Sequence, residues 1–435
     1  MNLFFETLKR TLQSSEVFEA RMQKMQEDIQ RYHELEKSPE LAEFLELKKI
    51  VTTPAFKENK TRLLKRKYKD TEECQKIERY EELRKRSDIK LYLEAEQSAD
   101  FQNFLRFRES ADYGKLRDPQ AVKESPELQN YARIDKLPIY KNYLKVSQSA
   151  DLKHLRALEA ELATEDFQKR NAFWKDPKRW YLTEDAQKEA RYNELAASDD
   201  IRFFLSMKKE DIEKAEIFKP VWEDNMDDKN NWKPGFGFAA PLKDGYSFAN
   251  ERQAYNGGKN TIAAVGRLDI ETREEPTTAL AWDEKRGFIE KTFDYSSDVV
   301  NTREAFTMNE GLIMVKVRSQ GNGVHALYLS QGKQKPLINL YYYNGRTHSV
   351  GIVTDRMNKQ TKLTGVLRSK YHIYSLRWTK TELIWYVNNL EIMRVKNPLN
   401  DEKLFLVAQS SLPKNVTAGE GKLKVAWVKA FTLNK

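Results

Sequence analysis

Residues 371–387 have the sequence YHIYSLRWTKTELIWYV, and this stretch decides the fold of the C-terminal half. It contains two runs rich in aromatic and β-branched residues, 371–378 and 383–387, which a short polar segment separates. Such runs are typical of strands, and a polar connection of this length is typical of antiparallel neighbours. We therefore predict two adjacent antiparallel strands here.

Similar runs continue on both sides of this pair. They cover residues 311–318, 324–329, 336–343, 349–353, 391–395, 404–408 and 423–431. Asn, Gly and Lys punctuate the segments between them. Many short strands with turn residues at regular intervals predict an antiparallel β-sandwich.

The first 218 residues have a different texture. Gly114 is their one glycine, and tyrosines at 32, 80, 131 and 192 mark a repeat with a period near fifty residues. A serine followed by Pro, Asp or Ala and an acid is typical of a helix start, because the hydroxyl caps a free amide. We predict six such starts, at Ser38, Ser87, Ser98, Ser125, Ser149 and Ser198.

The change of texture falls at Lys219-Pro220, in a chain long enough for two domains. We predict an α + β multidomain protein. Residues 1–218 form an all-α region of about four short-helix repeats, which either bind a protein partner or serve as a spacer. Residues 219–435 form the β-sandwich.

The net charge of +9 does not by itself indicate an acidic partner. The 75 basic residues are interleaved with 66 acidic ones, so we expect neither a nucleic acid nor a membrane as partner. Cys74 is the one cysteine, which excludes an intrachain disulfide, and no metal-ligand or cofactor motif is recognisable. Without a recognisable signal peptide or membrane span, we expect a cytoplasmic protein by default, and export by another route stays open.

An ordered series of motifs in the second half resembles one known family. The series runs through Trp222-Glu-Asp-Asn-Met226, Asn250-Glu-Arg-Gln-Ala-Tyr255, residues 296–303, 309–318, 371–378 and 384–388, and Lys424-Val-Ala-Trp-Val-Lys-Ala-Phe431. It is similar to glycoside hydrolase family 16, in the concanavalin A-like lectin/glucanase group. The resemblance implies a jelly-roll sandwich with a sugar-binding cleft.

The resemblance also exposes a missing catalytic motif. Family 16 carries two glutamates and an aspartate on one strand as Glu-Ile-Asp-Ile-(Phe)-Glu, because a retaining glycosidase needs a nucleophile and an acid/base. The matching positions here are Leu337, Asn339 and Tyr342, or Tyr341 if the strand has no bulge. No Asp or Glu lies between Glu310 and Asp355. We therefore predict no catalytic residues, unless displaced acids such as Glu251, Glu290 or Glu304 reach the cleft.

A cleft without these acids can still bind sugars, because aromatic faces stack on them and polar side chains donate to their hydroxyls. The candidate binding residues are Arg303, His325, Tyr328, Asn339, Tyr342, Asn344 and Arg346, with Trp282 on a loop. Nearby cations at Lys316, Arg318, Lys333, Lys335 and Arg346 suggest an anionic glycan as one hypothesis.

Three functional hypotheses follow from the sequence. The first is a non-catalytic protein that binds a polysaccharide or oligosaccharide, or a scaffold, built on a degenerate family 16-like sandwich. The second is an active endo-acting glycoside hydrolase that uses displaced carboxylates. The third is a purely structural assembly component whose sandwich contacts protein, and the helical repeats offer a further place for a protein partner.

Overall fold

A computed structural model describes residues 13–238 and 246–433. Within them the chain forms two compact units. The first unit combines the residues up to Glu36 with those from Phe203 onward, and the second unit is Lys37–Arg202. The domain bounds 1–218 and 219–435 stay a prediction, because compactness alone does not show which segments fold independently.

The described part of the N-terminal region is helical, as predicted. Its α-helices are α1 Ser15–Glu36, α2 Pro39–Val51, α3 Pro54–Lys65, α4 Glu72–Lys85, α5 Ser87–Gln97, α6 Ala99–Glu109, α7 Pro119–Glu124, α8 Pro126–Lys136, α9 Pro138–Ser147, α10 Ala150–Leu162, α11 Glu165–Lys175, α12 Glu184–Ala197, α13 Asp199–Ser206 and α14 Lys209–Ala215. Short 3₁₀ helices cover Tyr68–Asp70, Ala111–Arg117, Arg179–Leu182 and Lys229–Asn231.

Five of the six predicted serine caps are confirmed. Each of these hydroxyls accepts a hydrogen bond from the backbone amide three residues later, at Ser38, Ser98, Ser125, Ser149 and Ser198. The helix start predicted at Ser87 is confirmed, since Ser87 is the first residue of α5, but the cap by its hydroxyl is wrong, because Arg86 occupies the cap position. The carboxylate of Asp88 accepts from the amide of Ile89 instead.

Packing within the second unit joins helices that are distant in sequence. Helix α5 packs against α9, and α2 packs against α12. Stacked rings mark both pairs: Tyr92 lies on Tyr143 at 4.6 Å between ring centroids, and Phe44 lies on Tyr192 at 5.3 Å. The repeats therefore pair second with third and first with fourth, whereas an open array would join each repeat to the next one.

The C-terminal region is a sandwich of antiparallel strands, as predicted. Its strands are β1 Phe218–Asp224, β2 Lys233–Pro234, β3 Ser247–Phe248, β4 Gln253–Tyr255, β5 Thr261–Ala264, β6 Arg267–Asp283, β7 Gly287–Ser297, β8 Val299–Asn301, β9 Gly311–Gly321, β10 Val324–Ser330, β11 Leu337–Tyr343, β12 His348–Val353, β13 Asn358–Lys362, β14 His372–Trp378, β15 Glu382–Val387, β16 Leu390–Lys396, β17 Phe405–Ser411 and β18 Gly421–Leu433.

Two sheets face each other across the main hydrophobic core. The eleven-stranded sheet has the order β16-β15-β14-β9-β18-β6-β7-β4, with β1, β3 and β5 added at β18 and β6. The seven-stranded sheet has the order β13-β12-β11-β10-β17-β8-β2. Trp378 and Trp385 are each 1% exposed in the core between the sheets, which confirms that these tryptophans are structural.

Helix α1 covers the outside of the eleven-stranded sheet. Phe18 is buried there among Leu312, Met314, Ile373 and other apolar side chains of that surface. An acid of the same helix, Glu19, accepts hydrogen bonds at 2.7 Å from Lys316 Nζ and at 2.8 Å from the indole Nε1 of Trp427. The helix is therefore held by both apolar and polar contacts.

Candidate functional site

Side chains of the seven-stranded sheet alternate between the core and an outer surface. On β10, Leu327 and Leu329 point into the core, whereas Ala326 and Tyr328 belong to a separate cluster on the opposite face. We call this cluster the outer cluster. Its members are Phe236, Tyr255, Val299, Ala326, Tyr328, Phe405 and Val407, with Phe238, Phe248, Leu337 and Tyr342 packed against them.

Strand β11 carries a bulge that decides which tyrosine faces outward. Its pairing with β12 shifts register between Asn339 and Tyr342. Tyr341 is fully buried in the core, where its hydroxyl lies 2.5 Å from Ser319 Oγ, whereas the half-buried Tyr342 packs on the outer cluster. An extra residue in one strand turns the following side chain to the other face. Of the two alternatives left open by the sequence, the bulged one with Tyr342 is the one adopted.

The three positions that the sequence analysis matched to the family's acids lie together on the outer face. Tyr342 is paired with Ala326, Asn339 with Tyr328, and Leu337 with Ser330, in three successive pairs along β10 and β11. None of the three carries a charge. Burial raises the pKa of the Tyr342 phenol above its ordinary value of 10, so that this group is neutral at physiological pH.

In the row of Tyr342, the small residue Ala326 lies between two larger polar residues. Across the sheet, Tyr342 is followed by Ala326 on β10 and Gln409 on β17. Neighbouring strands are about 4.8 Å apart, so Tyr342 and Gln409 are about 10 Å apart at their backbones. Ala326 lies between them with only a methyl group and is itself buried in the outer cluster.

A short hydrogen-bond network lies beside Ala326 in the outer cluster. Gln409 donates from Nε2 to the hydroxyl of Tyr255 at 2.7 Å and accepts a longer bond of 3.5 Å from the hydroxyl of Tyr328. Burial raises the pKa of both phenols well above 10. The network thus holds neutral hydroxyl and amide groups, which match the hydroxyl groups of a sugar.

Arg303 lies at the end of the outer cluster. Its guanidinium donates to the carbonyl oxygen of Gly237 at 2.5 Å and lies 5.8 Å from the ring centroid of Phe405. Gly237 has a φ of 72°, and a Cβ there would lie 2.5 Å from the Phe405 ring. Only glycine allows this close approach, which seats Phe236 and Phe238 on the outer cluster as a stacked pair 5.0 Å apart.

His325 does not belong to this surface. It alternates with Leu327 and Leu329, so that it points between the sheets, where it is fully buried with Nδ1 3.0 Å from Ser410 Oγ. Burial lowers the pKa of the imidazole to about 3. This placement contradicts the prediction that His325 donates to a sugar, because no ligand reaches a side chain inside the sandwich.

Two further predicted residues lie in the turn between β11 and β12. The side-chain oxygen of Asn344 accepts from the amides of Arg346 and Thr347 at 3.0 and 2.7 Å, so this oxygen is used to shape the turn. The side chain of Arg346 is exposed. Both residues follow Tyr342 closely in the chain, at one end of the outer face.

Trp282 lies on a strand rather than on the predicted loop. It is the second-last residue of β6, is 39% exposed and contacts Phe288 edge-to-face at 4.9 Å. Further ring contacts continue from Phe288 to Tyr246, then to Phe248 and the Phe236 of the outer cluster. The pairing of β6 with β7 creates this position, which the sequence did not reveal.

Two of the cations assigned to the cleft lie elsewhere. Lys316 and Arg318 belong to β9 of the eleven-stranded sheet, where Lys316 pairs with Glu19 at 2.7 Å and Arg318 lies 4.7 Å from the ring centroid of Tyr371. They belong to the outside of the other sheet, so this part of the cation argument is wrong. Lys333, Lys335 and Arg346 remain on the seven-stranded sheet.

Among the displaced acids, Glu251 is the one that is half-buried beside the outer cluster. Its Oε2 accepts from Gln253 Nε2 at 2.5 Å, and burial raises the pKa of its carboxyl from 4.5 to about 7. The charge of Glu251 also acts on the pKa of Tyr255, a member of the outer cluster. Glu290 and Glu304 are exposed.

The sequence analysis missed several residues of the outer face. Gln409 and Phe405 had a readable signal, since residues 405–411 alternate in a strand and the even positions Leu406 and Ala408 enter the core. Phe236 and Phe238 had none, because they follow a two-residue strand in a segment rich in glycine and proline.

Other kinds of site were searched across the part of the chain that the structure describes. That part contains no group of three or more His, Cys, Asp or Glu side chains able to hold a metal ion. It also contains no helix of the length and apolar character needed to span a bilayer.

Two proteins with named activities are similar to part of this chain. Endo-1,3-1,4-beta-glycanase ExsH of Rhizobium meliloti (strain 1021) is 22% identical over 222 residues, 47% of this chain and 48% of that protein. Endo-1,3-1,4-beta-glycanase EglC of the same organism is 24% identical over 160 residues, 33% of this chain and 34% of that protein. The chain thus spans less than half the length of these relatives.

A solved structure gives a similar result. The catalytic domain of an endo-1,3-beta-glucanase (laminarinase) from Thermotoga petrophila RKU-1 is 21% identical, covers 50% of this chain and 99% of its own, and has a TM-score of 0.40. The model of the glycosyl hydrolases family 16 matches residues 291–428, from β7 to β18. Residues 291–428 of the sandwich are therefore similar to the glycosyl hydrolases family 16.

Proposed function

We propose that the sandwich binds a polysaccharide on the outer face of its seven-stranded sheet and does not cleave it. The observation that carries this proposal is the side-chain set of β11. Leu337, Asn339 and Tyr342 share the outer face at the positions where the family's acids are expected. Hydrolysis with retention needs two carboxyl groups about 5–5.5 Å apart, and none of these three residues has one.

The outer face offers what binding requires. Tyr342 supplies half-buried aromatic surface and Gln409 a half-buried amide, beside the buried side chains of Tyr328 and Asn339. Sugar rings stack their apolar faces on aromatic side chains and exchange hydrogen bonds with amides. The glycanase names of the relatives support a glycan as the ligand class.

Binding of neutral laminarin to the full chain tests this proposal by isothermal titration calorimetry. We expect Tyr342→Ala to weaken binding by about tenfold or more, as for a central aromatic contact, with an unchanged melting temperature. Tyr181→Ala is the matched control, since Tyr181 belongs to the helical unit and is 70% exposed. Equal affinities of the wild type and of both variants would contradict the proposal.

A second candidate function is hydrolysis with a displaced acid, and Glu251 favours it. A carboxyl with a pKa of about 7 is suited to donate a proton near neutral pH. One such group is insufficient, because the family mechanism needs a second carboxyl close by. This hypothesis predicts new reducing ends that disappear in Glu251→Gln.

The third candidate, assembly with a protein partner, rests on the helical unit. The neighbouring side chains Tyr181 and Leu182 are 70% and 61% exposed. Exposed aromatic and leucine side chains are common in protein interfaces. A failure of every glycan to bind, together with a self-association that Tyr181→Ala and Leu182→Ala abolish, would favour this hypothesis.

A further inference from the structure

The distribution of charge along the sandwich is strongly uneven. Residues 311–381 contain twelve lysines and arginines and one acid, Asp355. Structural contacts account for some of these cations. Lys316 pairs with Glu19, Arg377 pairs with Glu382, and Arg368 donates to the carbonyl oxygen of Gly321.

Besides Lys370 and Lys380, which flank β14 of the eleven-stranded sheet, five exposed cations of this segment have no ion-pair partner within residues 13–238 and 246–433. All five have exposed side chains, and we call them the cationic edge: Lys333, Arg346, Arg356, Lys359 and Lys362. Lys335, beside them, pairs with Asp355 at 3.5 Å, the one acid of the segment. The cationic edge is thus an excess of positive charge that the described part of the fold does not neutralise.

The cationic edge follows one border of the outer face. Strand β13 is the last strand of the seven-stranded sheet, and its five residues extend over about 17 Å. Lys362 is paired with Ser349, which is paired in turn with Tyr342, so Lys362 belongs to the same row as Tyr342 and Ala326.

The turns at both ends of this border carry the other cations. Arg346 lies in the turn between β11 and β12, next to the row of Tyr342. Arg356 lies in the turn between β12 and β13, at the opposite end. Lys333 belongs to the loop between β10 and β11, whose Lys335 reaches Asp355 of that same end. Positive charge therefore lies at both ends of this border and at Lys362 between them, whereas Lys359 is paired with the core residue Ile352 and shares its side of the sheet.

Protection of an exposed edge strand explains only part of this pattern. Lysines on edge strands prevent pairing with another sheet, which accounts for Lys359 and Lys362. It does not account for Lys333, Arg346 and Arg356, because turns have no free edge to protect. Like charges this close repel each other, and a chain of negative charges on the surface would relieve that repulsion.

We propose that the cationic edge binds the carboxylate or sulfate groups of an anionic polysaccharide whose sugar rings lie on the outer face. This inference rests on the proposed function and adds the charge class of the ligand. The border is long enough for several sugar units, so a polymer gains contacts that a single sugar does not. Affinity should fall as salt is added, because exposed charges are screened.

The test compares laminarin with its sulfated derivative and with a β-1,3-linked polyglucuronate, using the full chain in calorimetry. The variant is Arg356→Gln/Lys359→Gln/Lys362→Gln. The control removes three exposed cations from other strands and turns, as Lys219→Gln/Lys229→Gln/Lys259→Gln. Both triple variants change the net charge equally, so a difference between them reports on position.

We expect at least one anionic polymer to bind more tightly than laminarin. The variant in the cationic edge should weaken that binding by about tenfold, the effect of three exposed ion pairs, and leave laminarin binding unchanged. Tighter binding of sulfated laminarin would indicate a sulfate ligand, and tighter binding of the polyglucuronate would indicate a carboxylate ligand. If laminarin binds but neither anionic polymer binds better, the inference fails while the proposed function stands. If no polysaccharide binds, both fail.

Two other results would also overturn the inference. An equal loss in both triple variants would show an unspecific effect of net charge. Binding of single-stranded DNA with the affinity of the anionic polymer, through the same three residues, would show a general polyanion surface rather than a glycan site.

Discussion

Tyr342 and Glu251 show how burial sets the chemistry of single residues beside the outer cluster. Burial raises the pKa of both side chains, and the two consequences differ. The phenol of Tyr342 is neutral at any physiological pH and can stack or share a proton in a hydrogen bond. The carboxyl of Glu251, with a pKa of about 7, changes its charge within the physiological range.

Glu251 therefore gives the sandwich a pH-dependent stability. Its pKa in the folded protein, about 7, lies above its ordinary value of 4.5. While Glu251 is protonated in both the folded and the unfolded chain, its carboxyl does not lower the free energy of unfolding. As the pH rises from 4.5 through about 7, the unfolded chain ionises first, and the folded state loses stability. Relative to Glu251→Gln, we expect the wild type to lose about 1–3 kcal/mol over this range.

Denaturant melts of both proteins at pH 4.5 and pH 8 measure this difference. Glu290→Gln is the control, because the side chain of Glu290 is exposed on β7. If the free energies of unfolding of the wild type and of Glu251→Gln change by the same amount between pH 4.5 and pH 8, the raised pKa of the Glu251 carboxyl is contradicted.

Among the secondary-structure elements, the 3₁₀ helix Arg179–Leu182 organises the helical unit by an unusual contact. The guanidinium of Arg179 is buried and donates at 2.5 Å to the carbonyl oxygen of Leu63, near the end of α3. It also donates to Arg66, the residue after α3, and to Trp174 and Asp176 at the end of α11. Carbonyl groups at helix ends carry partial negative charge, so one cation joins two helix ends.

Removal of this cation should destabilise the helical unit. In Arg179→Ala several buried carbonyl groups lose their donor, which we expect to cost about 3 kcal/mol in the free energy of unfolding. Far-ultraviolet circular dichroism during urea unfolding measures it. Lys178→Ala, an exposed neighbour, should change stability by less than about 0.5 kcal/mol. Equal effects of the two substitutions would show that the contact contributes nothing.

At the scale of the whole molecule, helix α1 belongs with the sandwich rather than with the other helices. It is 22 residues long, and Phe18 enters the apolar surface formed by Leu312, Met314 and Phe431. An uncovered apolar sheet surface of this kind would promote aggregation. The helix thus acts as a cover for the outside of the eleven-stranded sheet.

This role predicts a large effect from one helical residue on the stability of the sandwich. Phe18→Ala should lower the free energy of unfolding by about 3–4 kcal/mol, because it leaves a cavity against the sheet. Val17→Ala is the control, since the preceding side chain is 48% exposed. Fluorescence of Trp427, which packs against the same cluster, follows the transition. An unchanged midpoint in Phe18→Ala would show that the cover is dispensable.

The sequence predicted the positions of the strands well where apolar and polar residues alternate clearly. The runs at residues 311–318 and 371–378 became β9 and β14, and the gapless match of residues 337–345 to the family motif led to the outward side of β11. Strand β13 was missed because the sequence NKQTK has no apolar residue, and its strand form depends on pairing with β12.

The errors at single residues have physical causes as well. On β10, His325 lies two residues before Leu327 and four before Leu329, so strand alternation directs all three side chains into the core. The family resemblance had favoured the cleft for His325. Lys316 and Arg318 lie close to the cleft strands in sequence, but the chain crosses to the other sheet between β9 and β10. Proximity along the chain does not decide which sheet a cation joins.

The most direct test of binding without cleavage is a count of reducing ends after the pure full chain has been incubated with a polysaccharide that calorimetry shows it binds. We expect binding and no increase in reducing ends over a sample without protein. New reducing ends that are absent with Glu251→Gln would contradict this account and show that a displaced carboxyl replaces the acids missing at Leu337, Asn339 and Tyr342.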